Sequence, residues 1–181
     1  MYFIALVLPP ELDQKVLKYK TWIFEKYGCA VGLKSPAHIT LIAPFWMEEE
    51  QEVGLIKDIE NFSGRKAFEI STRQFSSFKP RTIFIQPEYS KELENLKREM
   101  DAYFGERKEY KIVKDNRPFH PHITIATRDL RKKDFAEAWV YFTEKEFPAK
   151  WMAESISLLR HNQKKWEVIY TSHFKDLSET T

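Results

Sequence analysis

Cysteine is nearly absent from this 181-residue chain, which has Cys29 alone. That excludes an internal disulfide and any zinc site built from several cysteines, and it suits a reducing, cytoplasmic compartment. Cys29 falls between a helix end and a loop with no histidine beside it, so it reads as a bystander. Long hydrophobic runs are missing too. The opening run, Tyr2 to Leu8, is far shorter than the ~20 residues of a membrane-spanning helix. It has no basic stretch before it and reads as a first β-strand, not a signal peptide. An excess of one charge is also lacking, since 29 Lys and Arg face 27 Asp and Glu for a net +2. Such a balance is too mild to imply an extended polyanion-binding surface but is compatible with a small anionic ligand or the end of an RNA. What remains is 43% hydrophobic and 15% aromatic, enough to bury the core of a single domain.

The apolar pattern repeats along the chain. Tyr2–Leu8 ends at Pro9-Pro10, and the stripe Leu12, Val16, Leu17, Tyr19, Ile23, Phe24 and Tyr27 predicts an amphipathic helix stopped by Gly28. A loop through Gly32 and Pro36 leads to a strand containing His38. An acid-started helix follows over 48–62, then an alternating strand over 67–78. The series then restarts. Thr82–Gln86 is a strand, Ser90 caps a helix over 91–104 stopped by Gly105, and a basic loop delivers the chain to His122. A helix over 132–142, a strand over 153–159 and a last strand over 166–173 complete it, the final two as a hairpin. His38 lies 34 residues after Ile4 and His122 lies 37 after Ile85. The expected architecture is therefore a bilobal α+β domain over 1–181, with pseudo-two-fold β-α-β-α-β halves of about 1–78 and 82–175.

Each half holds one copy of a tetrapeptide, His38-Ile39-Thr40-Leu41 and His122-Ile123-Thr124-Ile125. On a strand the period of two puts His and Thr on one face and the aliphatics on the other. One His-x-Thr strand means no more than β-propensity and a satisfied polar group. Two copies, each shortly after a proline, place two imidazoles and two hydroxyls along a central cleft. That set suits phosphodiester chemistry. An imidazole near its usual pKa of about 6.5 can take a proton from water or give one to a leaving alcohol. Threonine hydroxyls can donate to the non-bridging oxygens as charge builds on them. No Asp or Glu lies within either motif to complete a metal shell.

The paired motifs resemble the His-x-Thr/Ser-hydrophobic signatures of the 2H phosphoesterases, which include the 2′-5′ RNA ligases and RNA 2′,3′-cyclic phosphodiesterases. The tail Ile42-Ala43-Pro44-Phe45 is similar to a divergent branch of small bacterial members. The resemblance implies a bilobal fold, cofactor-free and metal-free catalysis, and substrates that are 2′,3′-cyclic phosphates of RNA ends or small nucleotides, with reverse 2′-5′ ligation. Carried onto this chain, His38 and His122 become the acid–base pair and Thr40 and Thr124 the phosphate-holding hydroxyls. Within the pair, His122 as base toward water and His38 as acid toward the 3′-oxygen is the preferred assignment, and the pseudo-symmetry of the two motifs leaves the reverse assignment open. No obligate protein partner and no membrane association are expected.

Further candidates lie near the motifs. Arg128 and Arg81 are chosen as phosphate-binding cations over Arg117 and Lys114, although most arginines are simply solvated. Phe45 and Trp46 could stack on a base, each stack being worth ~1–3 kcal/mol, against a competing role in core packing. His120 shares a face with His122 but is separated from it by Pro121, and it reads as rim. His161 and His173 read as solvated, and the run Arg131-Lys132-Lys133 at a helix start has no account other than attracting RNA. Two rival functions stand beside phosphodiester hydrolysis. One is a non-catalytic RNA-end or nucleotide-binding module; the other is a metal hydrolase built on His38, His120 and His122.

Overall fold

A computed structural model describes residues 1–175. It is α+β, with four α-helices among the described residues and two four-stranded antiparallel sheets. The strands are β1 (Tyr2–Val7), β2 (His38–Phe45), β3 (Phe68–Phe78), β4 (Thr82–Pro87), β5 (Ile123–Ala126), β6 (Glu146–Ala153), β7 (Ser155–His161) and β8 (Trp166–His173). The helices are α1 (Pro10–Tyr27), α2 (Glu52–Glu60), α3 (Lys91–Gly105) and α4 (Lys132–Thr143). One sheet has the order β2-β1-β7-β8 and the other β5-β4-β3-β6. The first therefore joins strands from the two ends of the chain, and the second is built from the four strands between them.

Local chemistry sets the helix ends. Pro10 begins α1, where a missing N–H costs nothing, and Gly28 ends it at φ 71°, a left-handed conformation that glycine adopts without Cβ strain. Ser90 Oγ accepts from the Leu93 N–H and caps α3. The basic start of α4 is offset within its first turn, where Arg131 pairs with Asp134.

Two elements differ from the sequence expectation. The helix expected from 48 begins as a 3-10 turn over Glu49–Gln51 closed by a reciprocal Glu48–Gln51 capping box, and α2 proper starts at Glu52. The strand expected over 153–159 is two strands, β6 and β7, which meet at Glu154. Pro148 hides β6 in the sequence. It is tolerated because β6 lies at a sheet edge, where a missing backbone donor breaks no ladder bond.

One continuous core fills the space between helices and sheets, with Ile39, Leu41, Ile123 and Ile125 at or below 1% exposed. Two helices pack crosswise: α1 lies against β5 of the other sheet, and α3 lies against β2. A small second cluster, Phe3, Ala5 and Leu159 with Val7 and Trp166 against it, sits apart from this core. No described helix is long and apolar enough to cross a membrane.

Candidate active site

The alternation that buries the aliphatics turns the polar members of both motifs the other way. β2 pairs with β1 so that Thr40 faces Ala5 and His38 faces Val7 across the ladder. β5 pairs with β4, placing Thr124 beside Phe84, and His122 sits immediately before β5. The two motif strands approach each other. Two cavities of about 540 Å³ each flank them. His38, Thr40, Thr124 and Arg128 line the first. His122 and His120 line the second, and Thr40 borders both.

Both imidazoles are held in the same way. His38 Nδ1 lies 2.7 Å from the Pro36 carbonyl oxygen, and His122 Nδ1 lies 2.8 Å from that of His120. A carbonyl only accepts, so each Nδ1 carries the proton and each neutral ring keeps its lone pair on Nε2. Among the described residues no protein group takes either Nε2. Aromatic rings flank both histidines. Phe3 lies 4.8 Å from His38, and Phe78 and Phe84 lie 5.3 and 5.5 Å from His122.

Burial lowers both rings' pKa values. It pushes His38 down from 6.5 to about 4, with the charges of Lys20 and His122 acting in the same sense and the bond to Pro36 opposing them. His122 is lowered by burial and by the neighbouring His120, while its bond to the His120 carbonyl opposes. Both imidazoles are thus neutral in the free protein near pH 7, ready to accept a proton.

The segment before His38 is fastened from α1. Buried Lys20 donates through Nζ to the Ser35 carbonyl at 3.0 Å, and Asp13 Oδ1 accepts from the Ala37 N–H at 2.6 Å. The segment before His122 is held by Gln86. Its amide nitrogen donates to the Pro87 and Pro121 carbonyls, and its Oε1 lies 2.9 Å from His120 Nε2. His120 thus presents the carbonyl that orients His122.

A third fastening joins the loops of the two motifs. Asp129 accepts from the backbone N–H groups of Ala30 and Val31 at 2.7 and 2.9 Å and from the Cys29 thiol at 2.9 Å. Burial and this carboxylate push the Cys29 thiol up to about 12, which keeps it protonated. Gly32 passes so close to β5 that a Cβ would fall 2.3 Å from the Ile125 carbonyl oxygen.

The remaining sequence candidates divide by position. Arg128 lines the cavity, with an exposed side chain. Arg81 is not among the lining residues and instead reaches the Arg128 carbonyl at 3.5 Å. Phe45 lies in the core, 4% exposed and 6.3 Å from the Tyr2 ring. Trp46 is 69% exposed and lines neither cavity. His161, read as solvated, lies against Trp166 and lines the first cavity with Phe3, Lys34 and Thr127. Lys20, Asp129 and Trp166 carried no motif that singled them out. Among the described residues no group of three or more His, Cys, Asp or Glu could hold a metal ion.

The chain is similar to several known proteins. The sequence pattern of the 2′-5′ RNA ligase superfamily matches residues 8–165. A protein of Geobacillus kaustophilus named as a phosphoesterase is 32% identical over 142 residues, covering 76% of this chain and 75% of the relative. One of Bacillus cytotoxicus, also named as a phosphoesterase, is 31% identical over 115 residues, covering 55% and 63%. The matched region spans under two thirds of the length of the two Bacillus relatives, 63% in each. Among solved structures, TT0787 of Thermus thermophilus superposes with a TM-score of 0.70 at 18% identity, covering 97% of this chain and 98% of that one. Escherichia coli LigT complexed with 3′-AMP superposes at 0.67 and 16%, with the same coverage. These structural likenesses establish the fold, and the sequence match establishes descent: the chain belongs to the 2′-5′ RNA ligase superfamily of two-histidine phosphoesterases.

Proposed function

We propose that the protein is a metal-independent phosphodiesterase that hydrolyses 2′,3′-cyclic phosphates of RNA ends or small nucleotides. The observation that carries this reading is the matched pair of imidazoles. Each is anchored through Nδ1 to the carbonyl two residues back, and each keeps Nε2 free of the protein. A binding module has no need of two such groups. In the proposed reaction His122 Nε2 takes a proton from water as the water oxygen attacks phosphorus. Charge accumulating on the non-bridging oxygens meets the hydroxyls of Thr40 and Thr124 and the cation of Arg128. The ring P–O bond then breaks, His38 Nε2–H protonates the leaving ribose oxygen, and a phosphate monoester remains. His38 is hard to protonate in the empty site, so the anionic substrate must raise its pKa as it binds. Run backwards with the roles exchanged, the same chemistry is 2′-5′ ligation. The LigT structure with 3′-AMP supports a nucleotide-sized substrate.

The test is hydrolysis of adenosine 2′,3′-cyclic phosphate in excess EDTA by wild type, His38→Ala and His122→Ala. The expected result is EDTA-resistant turnover with a bell-shaped pH profile, reduced at least ~10²-fold by either substitution. Activity abolished by EDTA would favour the metal hydrolase, and binding without turnover the RNA-end module.

A further inference from the structure

The backbone supports the two histidines unequally. His38 opens β2 and pairs with Val7, and the carbonyl of Ala37 just before it accepts from the Leu8 N–H at 3.0 Å. The chain is therefore held by a ladder as it enters the first motif. The second motif lacks this support. Residues 118–122 belong to no helix or strand, and β5 begins only at Ile123. The carbonyl that accepts from His122 Nδ1 is that of His120, inside this irregular stretch.

Gln86 stands where the ladder is missing. It follows Ile85, the partner of Ile123, on β4. Its amide nitrogen donates to the Pro87 carbonyl at 3.0 Å and to the Pro121 carbonyl at 3.4 Å, and its Oε1 lies 2.9 Å from His120 Nε2. An amide oxygen only accepts, so His120 donates from Nε2. One side chain thus grips the chain on both sides of the His120 carbonyl. Pro121 has no N–H with which to tie this stretch into a sheet. Phe78 and Phe84 brace the His120 ring at 4.9 and 5.8 Å, near perpendicular at 74° and 83°. We infer that Gln86 is a positioning residue: it fixes the peptide whose carbonyl keeps the His122 proton on Nδ1, and so leaves Nε2 open toward the substrate. A ring released from that carbonyl is free to carry its proton on Nε2, where it cannot accept one from water. The inference rests on the phosphodiesterase reading for its catalytic meaning and adds to it what orients one of the two imidazoles.

The experiment measures kcat and KM for adenosine 2′,3′-cyclic phosphate against pH in wild type, Gln86→Met, His120→Phe and the double variant. Gln86→Met should lower kcat by about tenfold or more and leave KM within about twofold. The His122 pKa that the kcat/KM profile reports should fall, because the carbonyl bond that raises it is loosened. His120→Phe keeps the ring packing and the backbone carbonyl but loses the bond to Gln86, so its kcat should fall less. The double variant should be no worse than Gln86→Met alone, since both changes act through one peptide. A kcat for Gln86→Met within about twofold of wild type overturns the inference, and so does a fall in kcat with that pKa unmoved, or additivity of the two changes. If wild type does not hydrolyse the compound, the phosphodiesterase reading falls by itself, and nitrogen-15 NMR of the histidine rings still decides the role of Gln86. His122 should hold its proton on Nδ1 in wild type and divide it between the two nitrogens in Gln86→Met. The same tautomer in both proteins overturns the inference.

Discussion

The Lys20 ammonium, buried on α1, donates to the Ser35 carbonyl at 3.0 Å, three residues before His38. Burial lowers its pKa to about 8, so it is still mainly charged at pH 7 and helps keep His38 neutral. Lys20→Met should therefore raise the His38 pKa that the kcat/KM profile reports, because His38 loses a neighbouring cation. A purely structural role would lower the rate without moving that pKa. Rate measurements between pH 4 and 8 decide the matter.

The roles within the histidine pair are separable through the leaving group. A p-nitrophenyl phosphodiester needs no protonation to depart. His38→Ala should recover much of its lost rate on that substrate, whereas His122→Ala should stay impaired by about 10²-fold. The opposite pattern would exchange acid and base.

Stability should depend on pH through His38. Its folded-state pKa, about 4, lies below the unfolded value of 6.5. Protons therefore bind more readily to the unfolded chain. This contribution is fully present above about pH 6.5 and is lost as the pH falls from there toward 4, by on the order of 2 kcal/mol. Urea denaturation at pH 7.5 and 5 should show the decline, and His38→Gln should flatten it.

Gly32→Ala should destabilise the fold by about 1–3 kcal/mol and lower activity, because the new methyl group meets the Ile125 backbone on the strand that carries Thr124. Gly105→Ala is the control. A Cβ there meets nothing within 4 Å, so denaturation midpoints should be equal or higher.

Cys29 should resist alkylation in the folded protein, being 2% exposed with its thiol held protonated. Asp129→Ala should accelerate labelling, since it removes the carboxylate that raises the thiol and frees the Ala30 and Val31 N–H groups. Unchanged labelling kinetics would show that Asp129 does not fasten this loop.

The parts of the molecule that the sequence reveals are those written in periodicity. α1 is visible from its stripe and its terminal glycine, and the alternating motif residues announce which side chains leave the core. What escapes is written in the third dimension. Trp166 belongs to the site because β8 pairs with β7 and β7 with β1, two ladders that bring residue 166 beside residue 3. Lys20 looks like one more helix-surface lysine until the Val31–Lys34 turn folds over it. Phe45 and Trp46 are adjacent in sequence, yet Phe45 ends β2 inside the core and Trp46, just past the strand, stays in solvent.

The sheet orders bear on how the chain could be divided. β3 pairs with β4 in the second sheet, while β7 returns to pair with β1 and β8 pairs with β7. A chain severed at Lys79 would give two fragments, each lacking strands that the other retains. Such pieces should be insoluble or unfolded when made separately and should regain a native assembly only when refolded together, behaving as obligate complements of each other and not as autonomous lobes.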